Sequence, residues 1–387
     1  MRSSLGILSA ALWLAAGAAR AQSGEPLDPA SAIRFNLPAG APVTVASTVM
    51  GDSRAQARGG ALVVDLHPTL VLRNNGPQNI RGVTLVVLTQ EAAAGGKGSV
   101  AAPSLNVGPG ETFPVRVNLR LLRPLPAPPG PLVEVGLDGV LFADLSFFGP
   151  NRLESRRTMT VWEMEARRDR EYLKAVLERG GPEGLRQEIL GSLARQSSRP
   201  RLDVQVGRAQ GASRVISAAV NALIGKNLEF AFLKLPEAPL ELLSGAAQVN
   251  GAEADSPRVE VANRSARPVR YFEVGWLVRD DAGREFLAGS VPAPSALDLR
   301  PGRSAVAAQE RSYKFAVPRE APPSIAAMRG FLSQVEFADG SIWIPARRAL
   351  ADSNLLGVLP VSPEEQRLSE LYRSKGLKTL IEELGKF

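Results

Sequence analysis

The chain contains one histidine, no cysteine and no glycine-rich phosphate loop, which leaves few side chains for catalysis. Without cysteine there is no thiol nucleophile, no disulfide, no Cys-ligated zinc and no iron–sulfur cluster. The single His67 excludes a zinc site built on several histidines. It sits just before Pro68 in a strand-like stretch, with no carboxylate beside it in sequence, and reads as a structural or surface residue. Paired carboxylates can cleave glycosides without either residue type. The candidate pairs are Glu134 with Asp138, and Asp144 with Asp339. The second pair closes strands, which is where aspartate serves turns. Asp280, Asp281 and the region of Asp298 offer oxygens for calcium, but too few and not at the spacing of a ligand loop. The expectation is therefore no catalytic residue, no cofactor and no metal.

Binding asks less of a sequence. Glu163 to Glu171 holds seven charges in nine residues, with Arg167 and Arg168 at its centre. One reading is an anionic docking surface. The preferred one is a solvated helix laced by i,i+4 pairs such as Glu163–Arg167 and Lys174–Glu178. Trp162 and Tyr172 flank the run and read as anchors of that helix on a sheet body. Trp276 and Trp343 lie in strand-like segments; exposed, they would make a sugar-stacking platform, and buried, they are core.

Positioning these residues is the task of an exported chain. Arg2, an uncharged Leu/Ala-rich run from Leu5 to Ala18, and Ala19-Arg20-Ala21 have the form of a secretory signal cleaved before Gln22. That run is too short for a membrane span, which needs about 20 residues. The longest later apolar run, Val215 to Gly225, is broken by Asn221, so no span is expected after cleavage. The net charge of +7 comes mainly from arginine, only eight of the 46 basic residues being lysine. In a chain rich in Ala, Gly and Pro this is the composition of a GC-rich bacterial genome. With acidic and basic residues interspersed, nucleic acid is not the expected partner.

The mature part is punctuated like a β-sandwich. Short apolar or alternating runs (Val43–Met50, Ala61–Arg73, Ile80–Gln90, Thr112–Leu122, Pro131–Phe148) are separated by Gly, Pro and Asn clusters, including five prolines between Pro124 and Pro131. The order then repeats. Asn74, Val107 and Asp144 have counterparts in Asn263, Leu299 and Asp339, offset by 189, 192 and 195 residues. In both halves a β-branched residue, Ile80 or Val269, follows the Asn by six positions. Asp339-Gly340 predicts a two-residue hairpin pairing Phe337 with Ile342 and Val335 with Ile344. The first copy would pair Phe142 with Phe147 and Leu141 with Phe148 around Asp144-Leu145, leaving Gly149 outside the turn.

Between the copies, helices are expected from Met159 to Arg179 and from Pro182 to about Gln196, separated by Gly180-Gly181. Another is expected over Val215–Ile224, a strand over Leu228–Leu235, and a last helix from Pro363 to Leu384 opened by Ser362 and interrupted at Gly376. The predicted organisation is a signal peptide (1–21), an extended segment (22–39), a first sandwich (40–158), a mainly helical connector (159–245), a second sandwich (246–348), and a tail with a C-terminal helix (349–387).

The second copy resembles small immunoglobulin-like modules of bacterial exported proteins, the FxLYD and CARDB-like groups. The residues that carry the likeness are Asn263-Arg264-Ser265, the strand Val274 to Val278, the turn Asp280-Asp281-Ala282-Gly283 and Leu299-Arg300-Pro301-Gly302. The first copy keeps Asn74 and Pro109-Gly110 but lacks the Asp-x-x-Gly turn. The resemblance implies two tandem immunoglobulin-like sandwiches in a non-enzymatic module for adhesion, assembly or substrate binding. The functional expectation is a periplasmic or secreted binding and scaffolding protein whose partner is an envelope or extracellular protein or polymer. The alternatives are a carbohydrate-binding module using Trp276 and Trp343, and a hydrolase using carboxylates alone.

Overall fold

The computed structural model describes residues 25–89, 95–126, 130–208, 226–292, 297–309 and 311–387. The signal segment 1–21 and the expected helix over Val215–Ile224 lie outside the described residues. The chain is mainly β, with a long helix in its middle and another at its end.

Each half builds a body from opposed sheets that share one core, three sheets in the first half and two in the second. In the first body, one sheet runs in the order Phe147–Phe148, Val133–Phe142, Ile80–Leu88, Lys97–Ala102, and Ile33–Asn36 lies parallel on Val133–Phe142. In the second, the order is Ile342–Trp343, Ile325–Phe337, Val269–Asp280, Glu285–Pro292, with Ala231–Leu233 parallel on Ile325–Phe337. The connectivity is the same, down to the one parallel strand. The opposing sheet also corresponds. Glu253–Asn263 pairs with Leu240–Asn250 on one side and with Ser304–Ala308 and Arg311–Ala316 on the other. Its counterpart in the first body is two strands, Ala61–Leu66 and Thr69–Asn74. These pair with Arg54–Arg58 and Val43–Val49 on one side, and with Leu119–Pro124 and Thr112–Arg116 on the other. Alternation carries both cores. Leu70, Leu72, Phe113 and Val115 meet Val83, Leu85, Val135 and Leu137 in the first. Val259, Val261 and Phe315 meet Phe272, Val274, Leu332 and Val335 in the second.

The two landmark asparagines are anchors. Asn74 is fully buried; its amide donates to the carbonyls of Gln78 and Val107 at 2.9 and 3.0 Å, and its Oδ1 accepts from Gly76 N–H. Asn263 repeats this with Arg267 and Leu299, both at 2.8 Å, and with Ser265 N–H. The residues six positions on bridge back to the same places, Ile80 to Val107 and Val269 to Leu299.

The hairpins differ from the expected two-residue loop by one position. Val335 faces Trp343 and Glu336 faces Ile342, while in the first body Val140 faces Phe148 and Leu141 faces Phe147. The loops have three residues. Gly340 N–H closes on Phe337 O, Phe337 N–H bonds Ser341 O, and Gly340 takes φ +83°. A three-residue hairpin requires a left-handed residue at this position, the conformation glycine adopts most readily. Leu145 fills the same position at φ +66°, with matching bonds to Phe142 and Ser146. Gly149, which the sequence leaves without a role, has φ +136°, and a Cβ there would meet the Asp138 carbonyl oxygen at 2.4 Å.

Residues 22–39 and 159–245 do more than extend or connect. Ala32 and Ile33 enter the first core. Strands Asp203–Arg208, Lys226–Glu229 and Ala231–Leu233 all join sheets of the second body. These strands are too short to show a period, so they are hard to read from pattern alone. The middle helix, Ser155–Ser198, kinks at Gly181, and the C-terminal helix, Pro363–Leu384, kinks at Gly376. Ser362 caps the latter by accepting from Glu365 N–H, as its position before Pro363 predicts. The two helices share a small apolar cluster of Leu173, Leu185, Ile189, Leu368, Leu380 and Leu384.

Candidate functional site

The carboxylates singled out from sequence are each occupied by a local structural task. Asp138 is buried and accepts from Arg152 N–H, Leu153 N–H and Ser155 Oγ, holding the start of the middle helix. Glu134 pairs with Arg34 at 3.2 Å. Asp144 and Asp339 each accept from the N–H and hydroxyl of the serine two residues on, Ser146 and Ser341. The serine hydroxyls first, then the backbone N–H groups, hold both carboxyls below the usual range. Asp280 accepts from the backbone and guanidinium of Arg284, and Asp298 pairs with Arg300. His67 is exposed and engages Ser53 Oγ only through its backbone N–H. Among the described residues no group of three His, Cys, Asp or Glu is gathered to hold a metal.

The tryptophans do not form a platform. Trp276 is 4% exposed and packs on Phe230 with ring centroids 4.5 Å apart. A sugar needs an open ring face, so Trp276 is corrected from a binding candidate to a core residue. Trp343 is half-buried against both the second core and the cluster that seats the short helix Arg347–Asp352. Trp162 is half-buried on the middle helix, and Tyr172 packs in the helical cluster beneath Arg347 rather than on a sheet.

Arg167 and Arg168 are likewise corrected. They point into the protein: Arg167 donates to the Ala143 carbonyl of the first body, and Arg168 to the Pro345 carbonyl beyond the second at 2.9 Å. They border a buried ionic seam between the middle helix and the C-terminal segments. Asp169 receives Arg347 and Ser362, and Glu365 receives Arg347 and Ser192. Glu163 takes Arg167 and Arg170 on one oxygen, and Glu364 takes Arg170 and Arg367. Arg157 crosses to the buried Glu336 at 2.7 Å. Such pairs lose strongly if one partner is removed, because the survivor is left charged and buried. Glu165 lines a small cavity beside Arg168, Arg195, Arg347 and Glu365. Burial pushes its carboxyl up to about 7, with Arg168 opposing and Asp169 reinforcing the shift. The expected Glu163–Arg167 pair is present at 2.9 Å; Lys174 turns instead to the carbonyl of Phe387.

An unforeseen contrast lies on the outer faces of the corresponding sheets. In the first body Arg54, Arg58, Arg73, Arg116 and Arg120 all stand exposed on that face, against one aspartate, Asp65. Asp65 engages only Arg54 and Arg120, at 3.8 and 3.4 Å. The aliphatic side chains of Val49 and Leu122, 61% and 43% exposed, lie among them. The second body's face instead mixes Glu253, Asp255 and Glu260 with Arg258 and Lys314. A depression of about 590 Å³ opens over it between Glu229, Leu243, Arg258, Glu260 and Val306. Half of the signal is in the sequence: Arg116 and Arg120 occupy the polar positions of the alternating run from Thr112. The pairing that brings Arg54, Arg58 and Arg73 beside them is not.

No protein-family profile matches the chain, and no curated protein matches it. Among solved structures, β-glucosidase from Kluyveromyces marxianus is similar at 10% identity with a TM-score of 0.14, over 71% of this chain and 45% of that one. The C-terminal globular domain of an oligosaccharyltransferase from Pyrococcus abyssi gives 9% identity and a TM-score of 0.14, over 79% and 48%. The chain thus spans about half the length of the structures it matches, and similarity at this level carries no functional argument. Among the described residues no helix is long and apolar enough to cross a membrane.

Proposed function

We propose that this is an exported, non-catalytic binding and scaffolding protein of the bacterial envelope, made of two immunoglobulin-like modules that arose by duplication and are held together by the helical seam. The observation that carries the reading is the outer face of the first body, where five exposed arginines meet one aspartate. Protein interfaces are enriched in arginine, and a surplus of one sign steers an oppositely charged partner into place. The FxLYD and CARDB-like resemblance supports the same reading, since such modules present faces and edges to other macromolecules. The seam suits a scaffold, because it keeps the two faces at a constant spacing.

Protein recovered from the native host should begin at Gln22 and lie outside the cytoplasm. A panel of glycans and peptides should show no turnover by the purified mature chain. Measured turnover, abolished by a single carboxylate substitution that leaves the melting curve intact, would refute the reading.

A further inference from the structure

We infer that the arginine face of the first body binds an extended acidic polypeptide segment of a partner protein, with carboxylates at every fourth residue, lying along the strand direction. This deepens the binding-protein reading and rests on it. The register supplies the spacing. Arg73 lies on the middle strand itself, Arg116 is level with Thr69, Arg120 and Arg54 are both level with Asp65, and Arg58 is level with Ala61. The cations therefore recur four residues apart in each of two successive strands, at levels 61 and 65 of Ala61–Leu66 and at levels 69 and 73 of Thr69–Asn74. At about 3.4 Å per residue this is a step of roughly 13–14 Å along each strand. An extended peptide advances by the same rise, so carboxylates four residues apart stay in phase with the row.

Three of these arginines are available. Arg58, Arg73 and Arg116 form no ion pair with any described residue, while Arg54 and Arg120 share Asp65 and remain exposed. The side chains between the cations select among anionic polymers. Val49, Val71, Pro114 and Leu122 stand on this face, and among the described residues no Phe, Tyr or Trp does. Single-stranded nucleic acid is held by basic grooves with aromatic stacking platforms, and sugars likewise stack on aromatic rings. Aliphatic patches between guanidinium groups match alternating acidic and apolar side chains of a polypeptide instead.

The test uses the mature full-length chain and three fluorescent probes at low and physiological salt. They are a synthetic peptide with glutamate at every fourth position and serine and valine between, an oligothymidylate, and a sulfated heparin oligosaccharide. The peptide should bind most tightly. R73E/R116E/R120E should weaken it by at least about tenfold. The charge-matched control R300E/R348E/R373E, at exposed positions in the second body and helices, should change it by less than about threefold. If charge reversal lowers the melting temperature, the neutral variant R58Q/R73Q/R116Q replaces it, with the same direction expected. No peptide binding, equal losses in the two triple variants, or tighter binding of either other probe would overturn the inference. Those outcomes leave the broader reading standing, since substrate turnover or an uncleaved cytoplasmic chain is what removes it.

Discussion

The two β bodies meet the same obstacle, a proline in the central strand of the outer sheet, and resolve it differently. Pro68 and Pro257 occupy matching places: Val117 N–H bonds the Pro68 carbonyl at 2.9 Å, and Gln309 N–H bonds the Pro257 carbonyl at 3.1 Å. A proline offers no N–H to a neighbouring strand, so the ladder must open there. In the second body the proline strand itself bulges, Ser256 and Pro257 standing opposite the single Ala247 of its neighbour, and Ser256 takes φ +48°. The strand Glu253–Asn263 continues through. In the first body the neighbour inserts a turn at Met50–Ser53 instead, and Ser53 Oγ accepts the N–H of His67. That divides one strand, and with it one sheet, into two. The histidine that looked like a candidate base thus marks a break in a ladder. The same division accompanies the difference in charge, because the split sheet is the one that carries the arginine row.

The largest effect should come from the shared anchors. Asn74→Ala and Asn263→Ala each remove three bonds at a buried asparagine, while the Val107 and Leu299 carbonyls keep their bonds from Ile80 and Val269 N–H. Each lost bond costs about 0.5–1.5 kcal/mol, or about 1–3 kcal/mol where a group is left unsatisfied. A loss of about 3 kcal/mol or more is expected at either site, and the two losses should agree within about 1 kcal/mol. Denaturant unfolding followed by far-UV circular dichroism would report both bodies. Tryptophan fluorescence would weight the second, where Trp276 and Trp343 lie, with Trp162 adding a signal from the middle helix. Losses differing by more than about 2 kcal/mol would break the claim that the two bodies are one module used twice.

How much of this was legible in the sequence follows from what each feature depends on. Asn74, Asn263, Asp144 and Asp339 could be found because their roles are local, set by turn bonds within a few residues. The sandwich character was legible because alternation writes core faces directly into the strands. The hairpin register slipped by one because Asp-Gly serves two- and three-residue loops alike, and the closing bond from Phe337 to Ser341 decides between them. The seam was not legible. Asp169, Arg347 and Glu365 look like ordinary helix-surface charges until partners nearly 200 residues apart, such as Asp169 and Ser362, are brought together. The arginine face was hidden for the same reason, since strand pairing is not a property of any one segment.

The next effect concerns the link between the bodies and is smaller. Glu165 has its carboxyl raised from an ordinary 4.5 to about 7 by burial. The folded state therefore favours the protonated form. That preference contributes fully below about pH 4.5 and is lost as the pH rises through about 7. The turn carboxylates Asp144 and Asp339 shift the other way, so their contribution disappears only at pH below the ordinary carboxylate range. Between pH 5 and 8 the melting temperature should fall by an amount on the order of a few degrees. Glu165→Gln should flatten that slope while leaving the acid limb below pH 4 in place. An unchanged slope in Glu165→Gln would show that other groups set the pH response of the seam.

The smallest effect sits in the matched hairpins, where one body uses Gly340 and the other Leu145 in the same left-handed position. Gly340→Val places a β-branched residue at φ +83° and should cost about 1–3 kcal/mol. The new Cβ would approach the guanidinium of Arg156 at 2.5 Å, but that side chain can swing aside, so backbone strain is the main term. Leu145→Gly is the converse. It relieves about 1–2 kcal/mol of left-handed strain and gives back about 0.5–1 kcal/mol through the freer unfolded chain. Leu145 is also half-buried and loses some packing. The expected net change is within about 0.5 kcal/mol of zero, far from the loss at Gly340. Thermal melts of the two variants, run side by side, separate the cases. If Leu145→Gly destabilised as much as Gly340→Val, packing of Leu145 would outweigh its backbone, and the two turns would be alike in shape but not in what holds them.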